Sequence, residues 1–231
     1  PSSGRSVPDV CDAPQVNDAL ATVLERSRRE GHLGPGAIAD QIQHGRAHVG
    51  AAVPLPGEKW CDLGAGGGVP GLILALECPE VNVTLLDRSV SCAAFLWWAV
   101  SELGLSDRVE VVAEDATVVA HEPTHRHGYD GIVSRSFGRP AAVAEIARGL
   151  LGSQGRAVVS EPPYDSGTVL GSSAEDGRWP SRPLADLGLR VEGFVSGPPR
   201  FVVLRRAGVA IGGAGDDAPR SWKRMKKRPL F

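Results

Sequence analysis

Cys61–Gly71 reads "CDLGAGGGVPG", with five glycines in eleven positions. Glycine loses more conformational freedom on folding than any other residue, so a turn this rich in it must need the space. The stretch follows the apolar residues of "KWCDL" and runs into "PGLILALE", an apolar segment that reads as a helix. A short strand, a glycine turn and a helix form the opening unit of an α/β fold that binds nucleotide-like cofactors.

Further along, "VNVTLLD", "RVEVVAED", "YDGIVSRSF", "GRAVVSE", "LRVEGFVSG" and "RFVVLRR" are six more short runs rich in Val and Leu, bounded by Gly, Asp or Pro. Helical stretches alternate with the first five runs: "PGLILALE", "SVSCAAFLWWAVSELG", a short one after Asp115, and "RPAAVAEIARGLL". Near-continuous apolar strands separated by helices predict a parallel sheet covered on both faces. The last two runs are joined only by "PPR" and predict an antiparallel hairpin at one edge. The expected architecture is a doubly wound, mostly parallel, seven-stranded α/β sheet.

Upstream, Val16, Leu20, Val23 and Leu24 recur at helical spacing, and a second helix is expected from Ala37 to Val49, closed by Pro54 and Pro56. The chain therefore divides into a disordered lead-in (1–14), N-terminal helices (15–56), the α/β domain (57–207) and a flexible linker with a basic tail (208–231). That tail, "RSWKRMKKRPLF", holds six basic residues and no acid.

Composition is that of an ordinary globular protein: 231 residues, 42% hydrophobic, 23% charged, formal net charge −2. No apolar run approaches the ~20 residues that span a membrane. "PSSGRSVPDV" has no apolar stretch of the signal-peptide kind. Cys11, Cys61, Cys78 and Cys92 show no metal-ligand or disulfide-framework spacing. A reduced, cytoplasmic setting without membrane contact is expected.

In such a sheet, ligands sit beyond the carboxyl ends of the strands. Gly66, Gly68 and Gly71 satisfy the G-x-G-x-x-G spacing of dinucleotide binders, a weak signal alone. Read from Asp62, the stretch is instead an acid followed by Gly64, Gly66 and Gly68 at alternate positions, the pattern of S-adenosyl-L-methionine binders. An acid there suits an ammonium and a sulfonium and would sit badly beside a pyrophosphate. The expected cofactor contacts are Asp62, the turn Gly64, Ala65, Gly66, Gly68 and Val69, and Asp87 for the ribose hydroxyls. Asp115, with Ala116 and Thr117, is placed for the adenine.

"CDLGAGGGVPGLILALECPEVNVTLLD", "FLWWAVSELGL" and "YDGIVSRSF" resemble the GidB/RsmG family. The matching signatures are Val69-Pro70-Gly71, Leu85-Leu86-Asp87 and Ser134-Arg135-Ser136-Phe137, and the tail ends in a similar Pro-Leu. The resemblance implies a class I, Rossmann-like methyltransferase that transfers a methyl group from S-adenosylmethionine to guanine N7 of 16S rRNA. Arg135 would then orient the base or touch the cofactor, as both catalytic and cofactor-binding residue, and RNA (16S rRNA or the 30S subunit) would be the partner. Where the family carries an Arg after the third strand and a Lys-Gly after the fifth, this chain has Asp115 and Glu161-Pro162. Those changes leave a small-molecule acceptor, or a binding protein without activity, as alternatives. Oligomeric state is not written in the sequence.

Three other features have plainer readings. "EPPY", Glu161–Tyr164, is a rigid proline turn. His121, His125 and His127 fall in a loop without neighbouring ligands, and no metal is expected. Of Trp97 and Trp98, adjacent in one helix, one ring belongs to the core and the other faces out. The tail mixes Lys and Arg with Trp222 and Phe231, as a nucleic-acid contact would.

Overall fold

The computed structural model describes residues 13–163, 177–207 and 219–231, with side chains from Asn17 onward. Two N-terminal helices, α1 (Ala13–Arg29) and α2 (Ile38–Ala52), lead into β1 (Lys59–Leu63), α3 (Gly71–Glu77), β2 (Asn82–Leu86), α4 (Val90–Glu102), β3 (Val109–Val112) and α5 (Ala116–Val119). Then follow β4 (Tyr129–Ser134), α6 (Pro140–Leu150), β5 (Leu151–Glu161), α7 (Ser181–Asp186), β6 (Leu189–Val195), β7 (Arg200–Arg206) and α8 (Trp222–Lys227).

The strands form one seven-stranded sheet in the order β3-β2-β1-β4-β5-β7-β6. The first five run parallel. β7 is antiparallel to both β5 and β6. This is the class I methyltransferase arrangement. The order reverses between β1 and β4, and ligands in such sheets sit at that switch point.

Side chains alternate across each strand, and the two faces build separate cores. Trp60 of β1 faces the layer of α1–α4 with Leu24, Leu72, Leu74 and Leu96. Its neighbours Cys61 and Leu63 face α5–α8 with Ile132, Ile146, Leu184 and Met225. Asp62 shares the Trp60 side, which aims its carboxylate at the start of α3.

Several boundaries differ from the sequence reading. Helix α1 begins at Ala13, inside the expected lead-in, because its periodicity extends back to the Ala-Pro pair; residues 1–12 lie outside the described residues. Pro70 occupies the N-cap position of α3 rather than its first turn, and the Val69–Pro70 peptide is cis. Strand β5 starts at Leu151, immediately after α6, rather than at Gly155. Trp98 is the core ring of its pair, with the Arg26 guanidinium 3.8 Å from its ring centre, while Trp97 is half exposed.

The largest difference is at the C-terminus. The expected linker 208–218 lies outside the described residues, but 219–231 are not a loose extension. Met225 is buried, and Arg220 forms an ion pair of 2.7 Å with Glu145, a buried residue of α6. A second Arg220 nitrogen and the Arg220 amide both reach the other Glu145 oxygen, at 2.8 and 2.7 Å. A bidentate pair at a buried carboxylate is the strong kind, and it anchors the segment. Among the described residues, no helix is long and apolar enough to cross a membrane.

Candidate active site

A cavity of about 880 Å³ opens above the carboxyl ends of β1–β5. Its first half is built by the glycine turn. Gly64 has φ +79, a conformation costly to any residue with a Cβ, and a Cβ there would stand 2.4 Å from the Phe137 ring. At Gly67 a Cβ would meet Ser27 Oγ at 2.6 Å and the His32 carbonyl at 2.8 Å. The glycines therefore let the N-terminal helices close over the turn as well as clearing room for a ligand. Ser27, fully buried near the end of α1, donates from Oγ to the Gly67 carbonyl at 3.0 Å.

Asp87, at the end of β2, is held by two backbone amides. Its Oδ2 accepts from Gly66 N at 2.9 Å and its Oδ1 from Ser89 N at 2.8 Å. Each carboxylate oxygen accepts one bond from the chain and has capacity for another, and Asp87 lines the cavity, so it can serve vicinal hydroxyls. Asp115 also lines the cavity, but its Oδ1 caps α5, accepting from Thr117 N (2.9 Å) and Thr117 Oγ1 (2.7 Å).

Of the expected contacts, Gly64, Ala65, Gly66, Val69, Asp87, Asp115, Ala116 and Arg135 line the cavity. Asp62, Gly68 and Thr117 do not, and each has a supporting place instead. Gly68 (φ +90) is crowded by Leu72, which a Cβ would meet at 2.4 Å. Thr117 completes the cap on Asp115. Asp62 is fully buried behind the turn, and its Oδ2 accepts from Gly71 N at 2.7 Å. Its Oδ1 is buried with no partner. Burial pushes its carboxyl up to about 7, against a pull downward from the Gly71 amide and Arg135.

The second half of the cavity draws on scattered segments. Arg135 donates from Nη1 to Gln41 Oε1 of α2 at 2.8 Å. It pairs with neither Asp115 nor Glu161. Glu161, 9% exposed, is taken by Arg178 (Nε–Oε2, 2.8 Å) and by the Trp179 indole (Nε1–Oε1, 3.0 Å). The anion that replaces the family's cation here is thus neutralised in place. His44, three residues beyond Gln41, lines the same wall and sits 3.0 Å from Ser160 Oγ. Trp222 of α8 closes the far side, edge-on to Phe137 at 5.5 Å.

Gln41, His44, Ser160 and Arg178 are among the lining residues that were not expected in the site, whereas Trp222 was expected to meet nucleic acid from a flexible tail. Gln41 and His44 carried a signal: with His48 they recur at spacings of three and four on a predicted helix, hence on one face. Arg178 carried none, since tertiary packing alone brings it in, and the same packing turns Trp222 from a tail residue into cavity wall. Tyr164 of the proline turn lies outside the described residues. The loop histidines do not converge: His121 Nδ1 bonds the Thr117 carbonyl (2.5 Å) and His125 Nδ1 the Tyr129 hydroxyl (2.6 Å).

Residues 47–161 match the GidB family profile, described as rRNA small subunit methyltransferase G. Over that segment, just under half of the chain, the protein is similar to the GidB family. The ribosomal RNA small subunit methyltransferase G of Prochlorococcus marinus (strain NATL2A) is 35% identical over 122 residues, 53% of this chain and 46% of that protein. The protein of the same name from Chromohalobacter salexigens is 36% identical over 141 residues, 59% of this chain and 64% of that one. The match thus spans about half the length of these GidB relatives. Among solved structures, the [4+2]-cyclase SpnF superposes with a TM-score of 0.62 at 15% identity, covering 90% of this chain and all of that one. A SAM dependent methyltransferase from Aquifex aeolicus gives 0.56 at 17% identity, covering 79% and 97%. At such identities the likeness is one of fold, and a cyclase on the same frame shows that chemistry belongs to the site.

Proposed function

We propose that this chain is a GidB-family, S-adenosylmethionine-dependent methyltransferase whose acceptor is a guanine N7 of small-subunit rRNA. The observation that carries the reading is the match over 47–161, which falls on the segment that builds the glycine turn, Asp87, Asp115 and Arg135. The residues present fit that cofactor. Asp87 offers two acceptors to a ribose, and Asp62 keeps a buried, unpartnered carboxylate oxygen behind the turn, whose charge would favour an ammonium or sulfonium on the cavity side. A pyrophosphate would gain nothing from either carboxylate.

When bound, S-adenosylmethionine supplies a methyl on a sulfonium: the C–S bond breaks as C–N7 forms, leaving a neutral thioether and a cationic purine. Guanine N7 has a free lone pair, so the chain need supply no general base. Its work is alignment, worth several orders of magnitude when the reacting atoms are held in line. Arg135, steadied by Gln41, donates toward the guanine O6, away from N7, where its charge would oppose the reaction. Phe137 and Trp222 supply aromatic lining beside which a base, cationic once methylated, would sit. Val143 and Val159 give the cavity wall a buried apolar strip.

Calorimetry with S-adenosylmethionine and NAD, followed by labelled methyl transfer to 30S subunits and to free 16S RNA, tests the reading. Micromolar binding of the first ligand alone, with label on either RNA, is expected. Tight NAD binding would overturn it. The Glu161–Arg178–Trp179 cluster favours one second reading, a small-molecule acceptor, and cofactor binding without label on either RNA would select it.

A further inference from the structure

Helix α2 aims Gln41, His44 and His48 at the ends of β4 and β5. The hydrogen bonds there fix where each proton lies. His48 is fully buried, with Nε2 2.8 Å from the Val158 carbonyl oxygen. A carbonyl only accepts, so Nε2 carries the proton, and in the neutral ring Nδ1 is a lone pair. That lone pair lies 3.4 Å from Ser160 Oγ, so the serine hydroxyl donates to it. The hydroxyl's one proton is then committed. His44 Nε2, 3.0 Å from the same oxygen, must be a donor.

His44 is therefore held as the Nε2–H tautomer, and its Nδ1 is an acceptor without a partner among the described residues. Burial, with the Arg135 charge second, holds the His44 pKa at about 4; burial holds that of His48 at about 3, so both rings are neutral near pH 7. His44 stands at the β4–β5 half of the cavity, away from the glycine turn and Asp87. Gln41 and His44 also lie outside the segment that matches the family, 47–161.

We propose that His44 Nδ1 accepts a hydrogen bond from an N–H of the acceptor base and thereby selects guanine, with Ser160 and His48 as positioning residues that fix its tautomer. This rests on the reading of the acceptor as a nucleobase. Arg135, hydrogen-bonded to Gln41 one turn before His44 on α2 and lining the same cavity, is the donor beside that acceptor. A donor next to an acceptor complements the adjacent O6 and N1–H of guanine. Adenine offers a lone pair at N1, which would face the Nδ1 lone pair and leave both unpaired, the most costly kind of mismatch in a site built for hydrogen bonding.

Two measurements on the full chain test it. In ¹⁵N-histidine-labelled protein, the His44 ring should resonate with Nε2 protonated and Nδ1 bare, and Ser160→Ala should turn it into a tautomer mixture. A protonated Nδ1 in the wild type would overturn the assignment. In methyl transfer to 30S subunits, His44→Ala should lower kcat/KM about tenfold, as losing one hydrogen bond in a desolvated site does, with cofactor affinity unchanged. His44→Gln, whose amide can donate to Ser160 and still accept, should recover most of that loss. Wild-type kcat/KM in His44→Ala, or an equal loss of cofactor affinity, would sink this inference alone. A wild type that binds cofactor yet labels no RNA would instead sink the functional reading beneath it.

Discussion

Along the ends of β1, β2 and β3, the cavity wall comes mostly from one continuous stretch between Asp62 and Asp87, and backbone atoms do much of the work. At the ends of β4 and β5 the wall is side chains from α2, two strand ends, the segment before α7 and the C-terminal helix. The first half is rigid and local, as binding an invariant cofactor demands. The second is assembled from long-range contacts, such as Arg135 to Gln41 across 94 positions and Ser160 to His44 across 116. Such a wall can be rebuilt by exchanging single side chains without disturbing the cofactor. The division makes a concrete claim: substitutions on one side change cofactor binding, and those on the other change acceptor use.

Asp87→Ala should show the largest effect. It removes the acceptors for both ribose hydroxyls and also releases Gly66 N and Ser89 N. Loss of a charge-assisted bond of this kind should weaken cofactor binding by about 2–3 kcal/mol, read by calorimetry. Wild-type affinity in this variant would break the assignment of the first half.

Asp62→Asn comes next and is signed by pH. The folded-state pKa of about 7 stands above the ordinary 3.8, so the native protein keeps a proton that the unfolded chain has given up. Stability is therefore fully present below the lower value and falls as pH rises through about 7. The asparagine variant can still accept from Gly71 N and should lack that fall, gaining roughly 1–3 kcal/mol over the wild type at about pH 8 in denaturant titrations. Its cofactor affinity should drop, since a neutral amide no longer attracts a cation across the glycine turn. Wild-type cofactor binding at about pH 6 should release a proton, measured in buffers of different ionisation enthalpy. An asparagine variant that binds cofactor like the wild type would reduce Asp62 to a brace for α3.

The two halves were also unequally legible. Strand ends are readable because apolar runs stop at a polar residue, and this located Asp87, Asp115 and Arg135, as well as the sheet itself and its edge hairpin. What the pattern could not say was which side of the wall a residue stands on. Asp62 and Gly68 belong to the motif, yet burial behind the turn gives them structural partners. Glu161 looked like an uncompensated anion because Arg178, which neutralises it, lies 17 positions on in a segment without periodicity. The basic tail read as a flexible extension because nothing local announces that Glu145, 75 positions earlier, holds Arg220.

Trp222→Ala sharpens the boundary between the halves. The ring lines the cavity against Phe137, and the Arg88 guanidinium lies 5.8 Å from its centre. Removing an aromatic face of this kind should lower kcat/KM for RNA by about tenfold. Cofactor affinity should hold, and Trp222→Phe should restore most of the activity. If cofactor affinity fell as far as in Asp87→Ala, α8 would belong to the first half and the division would have to be redrawn.

The smallest effect concerns the charge on α8, and it needs a gentler probe than truncation. Removing residues 220–231 would take away the Glu145 partner, the buried Met225 and the Trp222 wall together, so weaker RNA binding would say nothing about phosphates. Lys223 and Lys227 are exposed and lie four apart on one face of α8. Lys226 sits 5.7 Å from the Trp222 ring and is better left alone. The double variant Lys223→Ala/Lys227→Ala should therefore leave stability within about 0.5 kcal/mol of wild type. Cofactor affinity should not change. If the two lysines meet phosphates, the slope of log K against log salt for RNA binding should flatten by roughly 0.7–0.9 for each phosphate no longer neutralised. A slope identical to wild type would assign this face of α8 to solvent and leave Trp222 as the reason the C-terminal segment is docked where it is.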